Sequence, residues 1–418
     1  MLSRRAFLKT TGLALVAFGV SGTPFFLKRA AAETKASKRK VLVTIFQRGA
    51  MDGVMAVSPY GDAQLQKVRP RLAMSAPNSG GENALLDLDG RFGFHPAFQP
   101  MLPLFQRKEL AIVHGVGSPE QTRSHFDQQD YMESGTPGRK GTPDGWLNRV
   151  AKELGTGTSP FKAVAMTSAL PRALYGDVSA LAISNLADFG VKAPGAMQAA
   201  MAAGQSFEAL YEQTSQTLLR GAGQESFDAI KLLSKIDVKN YRPLEGAEYP
   251  RSPLGNSLKQ IALLVKADVG VEIAFAESGG WDTHVQQGAA RGNFANRAKD
   301  LAQSIAAFWK DLEGYHDVVT LMTMTEFGRT IAENGSNGTD HGRGSCLFVL
   351  GATVAGGKVH GVVPTSLAPE NLEDGRDLPV TTDFRAVFAE VAGKHLSIKD
   401  DSRIFPNWNG NRLELLRA

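Results

Sequence analysis

Six short apolar runs punctuate the chain: Val41–Phe46, Leu110–Val116, Lys162–Met166, Val269–Ala276, Val318–Met324 and Cys346–Leu350. Longer stretches of helical period separate them. This alternation predicts an α/β fold, a doubly wound and mostly parallel sheet with helices on both faces. Within Lys299–Leu312, the residues Leu301, Ile305, Phe308, Trp309 and Leu312 recur at helical spacing, so the segment reads as a crossover helix covering the sheet. Residues 194–236 are rich in Ala, Gln and Leu with few turn signals, which predicts a helical insertion that could cover a sheet edge or roof a site. Ala76–Arg91 and Gly135–Gly145 carry Gly, Pro and Asn and read as exposed loops.

In open α/β sheets ligands bind beyond the carboxyl ends of strands, so the polar residues after each apolar run carry the functional signal. Gln47–Gly53, with Asp52, follows the first run, and Gly117–Asp127 follows the second. Ser278–His284, with Asp282 and His284, and Thr325–Thr330, with Glu326, follow two later runs. Another cluster, Asn334–Ser345, leads into the last run, and its glycines allow turns that aim Asp340 and His341 at one point. Carboxylates with imidazoles make a ligand mixture that zinc accepts; more oxygen ligands would suit manganese, calcium or magnesium. Each candidate also has a plainer role. Asp282 and His284 could stabilise a turn, Asp52 could belong to an Asp-Gly turn, and Glu326 could pair with Arg329. His95, His114, His316 and His395 read as structural, and His360 is a weak candidate to face the site.

With 43% hydrophobic and 21% charged residues, the 418-residue chain has globular composition and enough length for one large domain with insertions, or a main domain plus a smaller one. The formal charge of +4 is concentrated at its start. Residues 1–32 hold Arg4, Arg5, Lys9, Lys28 and Arg29 and no acid; without those five, 41 Lys and Arg face 42 Asp and Glu, a net −1. That removes the electrostatic case for nucleic acid. Ser3-Arg4-Arg5-Ala6-Phe7-Leu8-Lys9, the apolar run Gly12–Val20 and Ala30-Ala31-Ala32 match a twin-arginine export signal. This predicts a signal peptide over 1–32 and a mature domain over 33–418. The twin-arginine export machinery carries folded proteins, often because a metal or cofactor is loaded first. No later run reaches the ~18 apolar residues of a membrane helix, so the mature protein is expected to be periplasmic or secreted with no stable membrane span. Cys346, the single cysteine, excludes internal disulfides and a Cys-rich metal site.

Several motifs in combination resemble the DUF1501 family of secreted bacterial proteins. They are Arg48-Gly49-Ala50-Met51-Asp52-Gly53, Gly90-Arg91-Phe92-Gly93-Phe94-His95-Pro96, His114-Gly115-Val116-Gly117-Ser118-Pro119, Arg123-Ser124-His125-Phe126-Asp127, Gly280-Trp281-Asp282-Thr283-His284, Glu326-Phe327-Gly328-Arg329-Thr330 and Gly338-Thr339-Asp340-His341-Gly342-Arg343-Gly344. The family is grouped with the alkaline phosphatase and sulfatase-like superfamily. The resemblance implies an alkaline phosphatase-like sheet with Asp52 after the first strand, a nucleophile, Ser124 or Thr122, at a helix start, and ligands among Asp282, His284, Asp340 and His341. Many superfamily members have Asp-His-Gly at a strand end where this chain has Glu326-Phe327-Gly328, and its own Asp-His-Gly comes fourteen residues later. Either Glu326 replaces the Asp ligand and a His is lost, or the strand register differs; one metal instead of two is then open. No cysteine precedes Gly135, so the formylglycine chemistry of most sulfatases is not carried over.

The expected function is a secreted, divalent-metal-dependent hydrolase of phosphate or sulfate esters on a small molecule or glycan. Ser124 would attack in line, Arg123 would neutralise the transferring group, and His125 would protonate the leaving oxygen or bind metal. The alternative is a non-catalytic secreted binding or scaffolding protein on a degenerate hydrolase fold. A redox enzyme has little support, since the chain lacks a Gly-x-Gly-x-x-Gly strand turn and cysteine clusters.

Overall fold

The central strand β1 (Val41–Gln47) is buried at every residue, as a parallel strand covered on both faces must be. Eight more strands extend the sheet: β2 (Leu110–Gly117), β3 (Ala163–Ala165), β4 (Leu181–Ala182), β5 (Ile273–Ser278), β6 (Val319–Met324), β7 (Ser345–Gly351), β8 (Val359–His360) and β9 (Thr382–Asp383). Their order is β8-β2-β7-β6-β1-β5-β3-β4, with β9 also on β2. All pairings are parallel except those of β7, which runs antiparallel to β6 and β2. The sheet is therefore mostly parallel, as the alternating pattern predicts. The exception has a local cause: residues 325–344 contain no helix that could carry the chain back across the sheet, and a short return at one edge gives an antiparallel neighbour. The fourth apolar run begins earlier than its strand. Val269 and Val271 are buried, but Gly270 turns at φ 90° and extended pairing starts at Ile273.

The structure is a computed structural model describing residues 39–155, 159–189 and 226–417. The chain divides into two units, Met1–Arg39 and Lys40–Ala418. The expected signal peptide lies outside the described residues, as does most of the expected insertion over 194–236, of which residues 226–233 are helical. Five helices matter here: α1 (His125–Ser134), α2 (Trp146–Glu153), α3 (Pro253–Lys266), α4 (Asn293–Asp311) and α5 (Phe384–Leu396). Alternate residues of β1 face opposite layers. Val43 and Ile45 join a core with Leu258 and Ile261 of α3 and Leu301 and Phe308 of α4, and Leu42 and Phe46 join another with Trp146 of α2 and Phe388 of α5. The crossover helix expected over Lys299–Leu312 is α4, which starts six residues earlier. No helix among the described residues is long and apolar enough to cross a membrane.

Candidate metal centre

Strands β1, β2, β5 and β6 end at one edge of the sheet, and β7, running the other way, begins there. Residues that precede β7 thus meet residues that follow the others. His125 opens α1 after β2, Asp282 and His284 follow β5, and His341 precedes β7. Their functional atoms converge. His341 Nε2 lies 3.0 Å from His125 Nε2 and 2.8 Å from His284 Nε2. Asp282 Oδ1 lies 3.3 Å from His341 Nε2, 3.4 Å from His125 Nε2 and 3.1 Å from His284 Nε2. The ligand atoms of His125, Asp282 and His341 are all within 4.8 Å of one another, and His284 borders the Asp282–His341 edge of that group.

The other nitrogen of each ring decides what the converging atoms can do. His341 Nδ1 donates to the Arg123 carbonyl at 2.9 Å, and a carbonyl can only accept. His125 Nδ1 donates to Glu326 Oε1 at 2.8 Å. Burial alone would raise the Glu326 carboxyl, but hydrogen bonds from His125, Gln129 and the Gly49 amide outweigh it and hold the group below the usual carboxylate range. His284 Nδ1 donates to Asp340 Oδ1 at 3.1 Å; that carboxyl is lowered by its hydrogen bond from Asn334 and then by His284. With a proton on Nδ1, each ring turns its Nε2 toward the others and toward Asp282. Burial lowers His341, which favours its neutral form, whereas the bond to Glu326 raises His125. Lone pairs and a carboxylate oxygen at 2.8–3.4 Å repel unless protons or a cation lie among them. The donor set fits a divalent metal: imidazoles oriented by carboxylate and carbonyl partners, plus one carboxylate. The Asp282 side chain is 47% exposed, so this edge is open to solvent.

Two residues that sequence reasoning did not place hold the loops together. Arg329 is buried and donates to the carbonyls of Gly49, Ala50, Trp281 and Thr339 and, at 2.5 Å, to Asp282 Oδ1. Burial disfavours the Asp282 anion, but this guanidinium outweighs it and holds the carboxyl below its ordinary value. The Phe327 ring packs 4.9 Å from that of His125 and 5.0 Å from that of His341. Arg329 is visible in sequence only as a possible partner of Glu326; its partners come from three segments, at Gly49–Ala50, Trp281–Asp282 and Thr339. The loops meet backbone to backbone. A Cβ on Gly49, at φ 115°, would sit 2.5 Å from Asp282 N, and one on Gly338 would sit 2.2 Å from the His284 carbonyl oxygen.

Three of the expected ligands, Asp52, Glu326 and Asp340, lie outside the converging group. Asp52 does not join the cluster: its carboxylate is buried, caps Gly53–Ala56 through Met55 N, pairs with Arg69 and accepts from Gln287 Nε2. Glu326 and Asp340 sit one bond further out, on the Nδ1 sides of His125 and His284. Among the expected catalytic groups, His125 lies in the cluster itself. The Arg123 guanidinium is engaged by Asp374 and Asp377. Thr122 Oγ1 accepts from Ser124 N, and Ser124 caps α1, its Oγ accepting from Asp127 N at 3.5 Å.

Several solved structures are similar at low level. The C-terminal periplasmic domain of EcEptC from Escherichia coli, in complex with Zn, is 12% identical, covers 76% of this chain and 73% of its own, and has a TM-score of 0.35. The PsFucS1 sulfatase from Pseudoalteromonas sp. is 12% identical over 81% of this chain and 67% of its own, at 0.33. Alkaline phosphatase from the Antarctic bacterium TAB5 is 10% identical over 76% and 93%, at 0.32. These likenesses are too distant to lend this chain any chemistry. No curated protein matches it. The family model DUF1501, a protein of unknown function, matches residues 108–406, well over half of the sequence, and the chain belongs to that family.

Proposed function

We propose that this protein is an exported, metal-dependent hydrolase of phosphate or sulfate esters, acting on a small molecule or glycan. One observation carries the proposal: three imidazole nitrogens and a carboxylate oxygen from three loops meet at an open edge, with the ring protons engaged on the outer side. His125, Asp282 and His341 would hold the cation, with His284 beside them. A divalent cation bound there would supply Lewis-acid polarisation of an ester oxygen. Ser124 is the candidate nucleophile. It directly precedes His125 and caps α1, where free backbone N–H groups favour negative charge. Its hydroxyl makes only a long contact to Asp127 N, which an approaching ester could replace. In the step, Ser124 Oγ bonds to phosphorus or sulfur as the bond to the bridging oxygen breaks and the serine proton passes to that departing oxygen; water then hydrolyses the seryl ester and restores the hydroxyl. Residues 1–32 support export of the folded protein by the twin-arginine route.

Elemental analysis of the dialysed protein, followed by screens with aryl phosphates and aryl sulfates, tests the proposal. The expected result is near-unit zinc, manganese or calcium with ester turnover, and Ser124→Ala that keeps the metal and loses turnover. Metal without turnover would favour a binding or scaffolding protein. Failure to take up any metal on titration would overturn the centre.

A further inference from the structure

Phe126 is the one exposed phenylalanine among the described residues, with 90% of its surface open. It directly follows His125. Val285, 59% exposed, directly follows His284. Of the five exposed large apolar side chains among the described residues, two therefore stand next to histidines of the same cluster. Isolated exposed apolar residues are common; here two of them directly follow histidines of one polar centre. Phe126 also lies in the first turn of α1, and helical side chains lean toward the N-terminus of their helix, which here is the end that carries Ser124. The surroundings are polar: the Asp282 and Asp340 side chains are 47% and 56% exposed.

We infer that Phe126, with Val285, forms an apolar lip that receives an aryl leaving group of the ester handled at this centre, an inference that rests on the ester-hydrolase reading above. The anionic end of such a substrate belongs at the cluster, and a flat ring would cover the Phe126 side chain and remove both apolar surfaces from water. Phe126 and Val285 are then specificity residues that touch the non-reacting part of the substrate.

Calorimetric titration of the zinc-loaded protein with phenylphosphonate and with methylphosphonate tests this without turnover. The wild type is expected to bind the phenyl compound about tenfold more tightly. Phe126→Ala should shrink that ratio to about twofold with zinc content unchanged, and Phe126→Trp should restore it. Equal affinity of the wild type for the two probes, or a ratio unmoved by Phe126→Ala, would overturn the lip and leave the ester site standing. Binding of neither probe would overturn the ester-site reading and the lip with it.

Discussion

Six of the eight histidines of this chain fall into two groups that use opposite ends of the ring. In the core, His95, His114 and His395 donate from Nε2 to the carbonyls of Ala289, Val57 and Val41, and their Nδ1 atoms accept from Ala97 N, Gly115 N and the Thr320 hydroxyl. Burial pushes all three down to about 4, so both nitrogens are satisfied in the neutral ring. At the sheet edge, His125, His284 and His341 are engaged at Nδ1 by a carboxylate, a carboxylate and a carbonyl, and their Nε2 atoms face one another. The same side chain is thus a closed structural strut in one place and an open candidate donor in the other. The partner of Nδ1 sets the difference.

The strongest way to break this contrast is to remove its centre. The pair Asp282→Ala and His341→Ala should lose metal completely on dialysis by elemental analysis. Metal should raise the wild type's melting temperature and leave that of the variant unmoved; excess ligand at a thousand times its dissociation constant is worth about 4 kcal/mol. Asp52→Ala should do the reverse. Metal content stays, but the buried Arg69 loses its counter-charge, at a cost of about 3–5 kcal/mol in urea unfolding. Loss of metal in that variant would return Asp52 to the ligand set.

The core histidines make a prediction about acid. Their folded values lie below the ordinary 6.5, so the unfolded chain takes up protons first as pH falls. Their contribution is fully present above pH 6.5 and is lost toward pH 4, by at most about 3 kcal/mol per ring. Urea midpoints of the chelator-treated protein should drop across that window; a flat profile would contradict neutral core rings. The smallest effect concerns the groups behind the ligands. Glu326→Gln, at a buried partner of His125, should weaken metal binding about 10–100-fold, and Asp340→Asn, at an exposed partner of His284, about tenfold or less. Competition with a chromophoric chelator would measure both, and equal losses would show that burial of the outer partner does not matter.

Much of the architecture was legible because fully buried parallel strands must be apolar along their whole length, and the stretches between them kept helical period. β1, β2, β6 and β7 coincide with apolar runs to within a residue at each end. The strand-end rule also drew attention to the loops that carry His125, Asp282, His284 and His341. It could not rank residues within a loop. Asp52 and Asp282 both follow strands near turns, yet one is buried against Arg69 and the other is solvent-open among imidazoles. Nor could it show that Glu326 and Asp340 stand behind histidines, because that order depends on which ring nitrogen each carboxylate reaches.

Sequence by itself determined the α/β class, the likeness to an export signal and the short roster of carboxylates and histidines beyond the strands, since all three are written in local pattern. Tertiary structure decided the direction of β7, and with it the arrival of His341 opposite His125 and Asp282. It also decided the placement of Arg329 across three loops and the side of each imidazole that meets its neighbours. These contacts join residues up to 280 positions apart, and no local periodicity records which distant atoms will share a few ångströms of space.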